Sequence, residues 1–213
     1  LTGLITWVEI QLQRIANPWI VAENRRFASL DEFLALNAEY EARYPYTVSW
    51  IDCAATGRAL GRGIYMAGMH APPGLMKSPP PERRALTVPF APPVSLVNNL
   101  SVRGFNRLYY HLPRPARGLI PYQPFFYPLD NLLEWNRLYG RRGFFQYQCV
   151  IPPAAAREAL REILARIAAS GQGSMLAVLK RFGDKTSGGL LSFPRPGFTL
   201  ALDFPNLGQK TLD

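Results

Sequence analysis

From residue 4 to residue 13 apolar and polar positions alternate. Val8, Ile10 and Leu12 fall on one side and Glu9, Gln11 and Gln13 on the other, a period of two that predicts a half-buried strand. After Asn17-Pro18 the apolar run at 19 to 22 predicts a second strand. Ser29 with Asp31 and Glu32 behind it has the spacing of a capping box with acids in the first turn, which opens a helix. Phe33, Leu36, Asn37 and Tyr40 follow at i, i+3, i+4 and i+7 and give that helix one buried stripe through about residue 42. An extended pattern resumes at 46 to 51. Residues 18 to 52 therefore read as one strand-helix-strand unit.

A second unit spans 143 to 182. It comprises the aromatic-rich strand GFFQYQCVI, Pro152-Pro153 at a helix start, a helix with Ala156, Leu160, Ile163, Leu164 and Ile167 on one face that stops before Gly171, and the strand SMLAVLKRF. A last strand at 198 to 204 alternates Phe198, Leu200, Leu202 and Phe204 with Thr199, Ala201 and Asp203. Two such units plus extra strands predict an α+β domain: a mostly antiparallel sheet with helices on one face and the other face free to carry a site. Residues 53 to 142 hold most of the 20 prolines and read as a long insertion with a few short strands, parts of it poorly ordered in isolation.

Alternation also sorts the side chains of the 143 to 151 strand. Gln146 and Gln148 project to one face with Phe144 and Val150, while Phe145, Tyr147, Cys149 and Ile151 project to the other, which is expected to be core. Two amides on the free face, joined by Lys180 and by Thr199 and Asp203 of the last strand, would make a polar floor with one cation.

Composition bounds the rest. At 213 residues, 48% hydrophobic and 18% charged, the chain is large enough for one core and too apolar to be disordered. Its net charge of +9 is concentrated: residues 57 to 117 hold nine Arg or Lys against one acid, Glu82, so that stretch alone carries +8. Anionic partners follow from such a patch, but a fold does not. The longest stretch free of charged side chains, 85 to 102, contains Pro89, Pro92 and Pro93, so no membrane span is expected. The chain opens on Leu1 without a signal-like segment and is read as a piece of a longer, cytoplasmic protein. Cys53 and Cys149, 96 positions apart, are expected to be reduced, buried thiols, and no metal site is expected. Phosphate-loop, zinc-protease and nucleophile-elbow motifs are absent, and His70 and His111 have no carboxylate at ligand spacing.

The strings FYPLDNLLEWNRLYGRRGFFQYQCVIP (126 to 152), LKRFG (179 to 183) and LSFPRPGFTLALDFP (191 to 205) resemble the substrate-binding domain of FAD-linked oxidoreductases of the decaprenylphosphoryl-ribose oxidase type, while EARYPYTVSWID (41 to 52) resembles the same family's early helix-to-strand passage and TGLITWVEIQL (2 to 12) the strand that leaves its flavin domain. These are flavoproteins of the vanillyl-alcohol-oxidase kind. The resemblance covers nearly the whole of 1 to 213 and implies a flavin-binding domain in cis that holds FAD, with this domain covering its ring. It implies hydride transfer from an alcohol carbon of a sugar, or of a phosphorylated sugar or lipid, to the flavin.

By the same resemblance Gln148 and Lys180 line the pocket, Lys180 as the catalytic cation, with Trp50 as a wall and Gln146 as a neighbour. Three positions depart from the family pattern: Phe126 stands where a pocket tyrosine is expected, Ala201 where mycobacterial members have cysteine, and Thr199 where an asparagine is expected. These changes bear on which substrate fits. A second pocket lysine falls beyond residue 213, so this chain alone is expected to be inactive and to hold no FAD, and no residue of it is assigned to cofactor binding. The basic insertion is expected to act as a lid that attracts an anionic substrate or makes peripheral contact with an anionic membrane. The alternative reading is a noncatalytic basic module for nucleic acid or anionic surfaces; no RNA-reading signature supports it, and nucleic acid is not expected as a partner.

Overall fold

The computed structural model describes residues 4–75, 85–185, 189 and 191–212. Among them nine strands form: β1 (Trp19–Phe27), β2 (Tyr46–Ile51), β3 (Gly63–His70), β4 (Leu86–Thr87), β5 (Arg117–Pro121), β6 (Leu132–Leu133), β7 (Phe144–Ile151), β8 (Val178–Phe182) and β9 (Gly197–Pro205). The helices are α1 (Leu30–Tyr40), α2 (Asn99–His111), α3 (Tyr122–Phe126), α4 (Ala156–Ser170) and α5 (Gln209–Leu212). Seven strands make one sheet in the order β5-β1-β3-β2-β8-β9-β7, with every neighbouring pair antiparallel. The architecture is α+β.

Each strand-helix-strand unit is completed by a third strand that inserts between its first two. β3 pairs with both β1 and β2, and β9 pairs with both β7 and β8. The chain thus carries two β-α-β-β units of the split βαβ type. They join through β2 and β8, where Ser49 faces Leu179 and Trp50 faces Val178. Both insertions start on a glycine because the backbone there leaves no room for a side chain. A Cβ on Gly63 would lie 2.2 Å from the Trp50 carbonyl oxygen, and one on Gly197 would lie 2.5 Å from that of Ile151.

Helices α1 and α4 lie on one face of the sheet. Ser29 caps α1, its Oγ accepting from the Glu32 N–H at 3.3 Å. The α1 stripe (Leu30, Phe33, Leu36, Tyr40) and the α4 stripe (Ala156, Leu160, Leu164) share one core with Phe27, Ile51, Tyr65, Leu179, Phe198, Leu200 and Leu202. Phe33 is its hub, with ring centroids 5.6 Å from Phe27, 6.1 Å from Tyr65 and 5.9 Å from Phe198.

The structure corrects four expectations. The alternating segment at 4 to 13 forms no strand: among the described residues no neighbour pairs with it, and its apolar side chains stand in solvent, from 68% exposed at Ile10 to 91% at Leu4. Alternation assigns faces but cannot supply the backbone partner that a strand needs. The stretch 53 to 142 contributes more than short strands, because it holds the central strand β3 and the thirteen-residue helix α2; its residues 76–84, with Lys77, Glu82, Arg83 and Arg84, lie outside the described residues. The strand expected at 174 to 182 starts only at Val178, since Ser174 is drawn into side-chain contacts, its Oγ accepting from the N–H of Leu176 and of Asp203. Finally, the second face of β7 is core only at Ile151. β7 is an edge strand, and Phe145 and Tyr147 are 38% and 48% exposed.

The last correction separates the two thiols. Cys53 is buried, its Sγ accepting from the Ser174 N–H at 3.2 Å, and burial pushes the thiol up to about 12. Cys149, expected to be buried as well, is only half-buried on the edge strand. A neutral-pH alkylating reagent is expected to label Cys149 and spare Cys53 until the protein unfolds, because the thiolate is the nucleophile. Peptide mass mapping of the labelled native protein reads this directly, and early labelling of Cys53 would contradict it.

Candidate functional site

The face of the sheet turned away from α1 and α4 carries the expected polar residues in register. Directly paired residues share a face, so one cross-strand row runs Arg26, Ile64, Trp50, Val178, Ala201, Gln148. The next row holds Lys180, Thr199 and Val150, and on the other side of the first lie Asp203 and Gln146. Gln148, Lys180, Thr199, Ala201, Asp203 and Gln146 therefore form one contiguous surface over three strands. Trp50 is three strand spacings from Gln148, roughly 14 Å.

Hydrogen bonds fix the amides. Gln148 Nε2 donates to Thr199 Oγ1 at 2.9 Å, and Gln146 Nε2 donates to Asp203 Oδ1 at 3.0 Å. Thr199 and Asp203 are themselves buried, so they hold the exposed glutamines in place and do not present a surface of their own. Lys180 is half-buried, with Nζ 5.7 Å from the Phe182 ring centroid, and its ammonium makes no hydrogen bond or ion pair among the described residues. Between these polar groups the floor is apolar, formed by the half-buried Val150, Val178 and Ala201.

Helix α2 borders this floor. Asn98 caps it, its Oδ1 accepting from Leu100 and Ser101 N–H groups while Ser101 Oγ accepts from the Asn98 N–H. Tyr109 covers Trp50 edge-on at 4.7 Å, and the Trp50 indole donates to the Met175 carbonyl at 2.8 Å. Trp50 is thus buried, and the aromatic surface above it belongs to Tyr109, stacked on Phe105 at 5.5 Å. Phe126 is not brought to the glutamines. Its ring packs edge-on against Tyr46 at 4.9 Å and tilted against His70 at 6.3 Å, on the β2–β3 side of the sheet.

Sequence reasoning missed Tyr109 as part of the wall, and it missed a polar cluster at the end of β2. There the buried Asp52 accepts from Arg62 Nε and Nη2 at 3.0 and 2.8 Å on Oδ2, and from Asn106 Nδ2 at 2.9 Å on Oδ1. The missed residues are spread over segments more than forty positions apart and form no local pattern; a buried acid in an otherwise apolar strand was the one available sign.

Burial raises the Asp203 carboxyl above its ordinary 3.8, against the lowering effect of the Gln146 hydrogen bond. The folded protein therefore holds this proton more tightly than the unfolded chain does. The stability this confers is full below the unfolded value of 3.8 and is lost as pH rises through the higher folded value. Asp203→Asn keeps an acceptor for Gln146 and carries no charge. Its thermal midpoint is expected to gain on the parent as pH rises from the acid side to neutrality, and a constant difference would contradict the assignment.

Comparison with known proteins bears on this geometry. No family model matches the chain. Over 214 residues, 96% of the chain, it is 34% identical to the decaprenylphosphoryl-beta-D-ribose oxidase of Mycolicibacterium smegmatis. The chain resembles part of a decaprenylphosphoryl-ribose oxidase. It is also 30% identical over 225 residues to an uncharacterized protein encoded in the 5′ region of mprA in Streptomyces coelicolor. The chain spans about half the length of these relatives, 46% of the oxidase and 59% of the second protein. Among the described residues no helix is long and apolar enough to cross a membrane.

Proposed function

We propose that this chain is the substrate-binding domain of an FAD-dependent oxidoreductase that oxidises an alcohol carbon of a sugar or of a phosphorylated sugar or lipid. The observation that carries the reading is the floor of the sheet: two fixed amides and an ammonium without an anionic partner among the described residues, set around an apolar patch of Val150, Val178 and Ala201. Likeness to an oxidase over almost the whole chain supports the same reaction class. The floor fits the wall of a pocket closed by a flat ring, and no residue of this chain is assigned to the nucleotide part of the cofactor. A flavin-binding portion in cis would supply that. We place its action in the cytoplasm.

When bound, the flavin supplies the acceptor for a hydride. This chain's residues do the rest. Gln148 presents its carbonyl oxygen and its second amide hydrogen to a substrate hydroxyl, the first amide hydrogen being committed to Thr199. The Lys180 ammonium donates to the substrate oxygen as negative charge develops on it, an interaction stronger in the transition state than in the ground state. As the C–H bond breaks and its electron pair leaves with the hydrogen as hydride, the hydroxyl proton passes to a water on the open side of the floor and the C–O bond becomes a carbonyl. Val178 and Ala201 exclude water beneath the reacting carbon. Gln146, tied to Asp203, borders the floor on the side away from Lys180.

Gln148→Ala is expected to raise KM and to lower kcat/KM by about 10–100-fold, the cost of leaving a buried polar partner unmet. Thr199→Val removes only the hydroxyl that orients the amide, and a smaller loss in the same direction is expected. Steady-state kinetics of both variants test the assignment, and a Thr199→Val defect larger than that of Gln148→Ala would contradict it.

A further inference from the structure

Beside α2, at the end of β2, an open cavity of about 250 Å³ is lined by Asp52, Thr56, Arg62, Arg103 and Arg107, with small alanines between them. α2 turns Asn106 and Tyr109 toward the sheet, and Arg103 and Arg107, one helical turn apart, toward this cavity. Like charges at that spacing repel, and neither guanidinium has an acidic partner among the described residues. Arg62 differs: it is anchored by Asp52 and by stacking at 4.7 Å on the Tyr110 ring. It spends Nε and Nη2 on one carboxylate oxygen, which leaves its Nη1 hydrogens for another acceptor.

We propose that this cavity is a binding site for a phosphate group, separate from the floor that carries Gln148 and Lys180. Three guanidinium groups against one carboxylate give the lining a formal charge of +2. A phosphate monoester carries about −1.5 to −2 at neutral pH and offers three acceptor oxygens. The one acid, Asp52, does not repel it freely, because Arg62 and Asn106 already take up its oxygens. The planar fork of arginine suits phosphate oxygens in pairs, so Arg103 and Arg107 clamp the anion while Arg62 forms the fixed back wall. At about 250 Å³ the space holds a phosphate with a small attached group and falls below the usual volume of a drug-sized ligand site. The phosphate comes either from a free phosphorylated molecule or from the headgroup of an anionic lipid.

The test compares the protein with two doubly substituted variants of equal charge change. Arg103→Gln with Arg107→Gln empties the clamp. Arg141→Gln with Arg142→Gln removes the same charge from an exposed turn outside the cavity. Binding of inorganic pyrophosphate is followed by phosphorus NMR in chloride buffer, and binding of phosphatidylglycerol–phosphatidylcholine vesicles by sedimentation. The clamp variant is expected to lose about tenfold or more in affinity for whichever probe the parent binds, and the control variant to stay within about twofold. Saturable pyrophosphate binding lost with the clamp assigns a free phosphate. Vesicle binding alone, lost with the clamp, assigns a lipid headgroup. Equal losses in both variants, or a parent that binds neither probe at low salt, overturn the proposal. Circular dichroism of the clamp variant checks that α2 is intact, and Arg107→Lys, which keeps the charge and loses the fork, is expected to fall between parent and clamp variant.

Discussion

Lys180→Met is expected to slow turnover of the flavin-loaded protein by about 10²–10³-fold, the range seen when one group that stabilises a developing oxyanion is removed. The expectation rests on placement. Lys180 faces the open side of β8 beside Thr199, with its ammonium free of ion pairs among the described residues and its Nζ 5.7 Å from the Phe182 ring centroid. Methionine keeps the stem and removes the charge, so stability should move by no more than about 0.5 kcal/mol. Because the contact is proposed to strengthen only as charge develops, kcat and kcat/KM should fall together with KM little changed. Lys180→Arg is not expected to rescue, since the broader fork presents its charge in a different place. Parental turnover in Lys180→Met would remove this residue from the chemistry.

Phe33→Ala is expected to have the largest effect on stability. Phe33 is fully buried and touches Phe27 and Tyr65 of its own unit and Phe198 of the other, so its removal opens a cavity at the junction of the two β-α-β-β units. Such truncations cost about 3–5 kcal/mol. In a chain of this size that lowers the thermal midpoint by roughly 6–20 °C. Leu100→Ala on α2 is the contrast: Leu100 is 81% exposed, and its loss is expected to be within about 0.5 kcal/mol. Differential scanning calorimetry of the two variants checks both values. A small shift for Phe33→Ala would mean that the units are held together elsewhere.

Much of this architecture was legible along the chain, and the exceptions have physical causes. α1 declared itself through a capped start and α4 through the prolines before it, each with a one-sided stripe, because each covers only one face of a sheet. β9 announced itself through alternation because only its helix side is wholly apolar. β3 did not. Ile64, Tyr65 and Ala67 are buried on both faces, so the strand shows no alternation, and its two neighbours are chosen by long-range pairing that no local pattern encodes. The segment at 4 to 13 fails in the opposite sense: a clear alternation, without a strand to pair with among the described residues.

The candidate site follows the same division. That Gln146, Gln148, Lys180, Thr199 and Ala201 share one face follows from strand periodicity, and the register unites them. That Thr199 and Asp203 sit beneath the glutamines, that Tyr109 covers Trp50, and that Phe126 joins Tyr46 and His70 depends on packing between segments 50 or more residues apart. The Arg103–Arg107 pair was visible only as part of the long basic stretch at 57 to 117; the fold turns it into a lined cavity.

The central claim is that this sheet face binds the alcohol substrate of a flavin enzyme. Its most direct test is the visible spectrum of the flavin-loaded protein during anaerobic addition of phosphorylated sugars and simple polyols. The account predicts that the oxidised-flavin absorbance bleaches with a phosphorylated sugar or lipid-linked sugar and that Lys180→Met, with equal flavin content, bleaches about 10²-fold or more slowly. A flavin that no alcohol reduces, or one that bleaches equally fast in parent and variant, would contradict it.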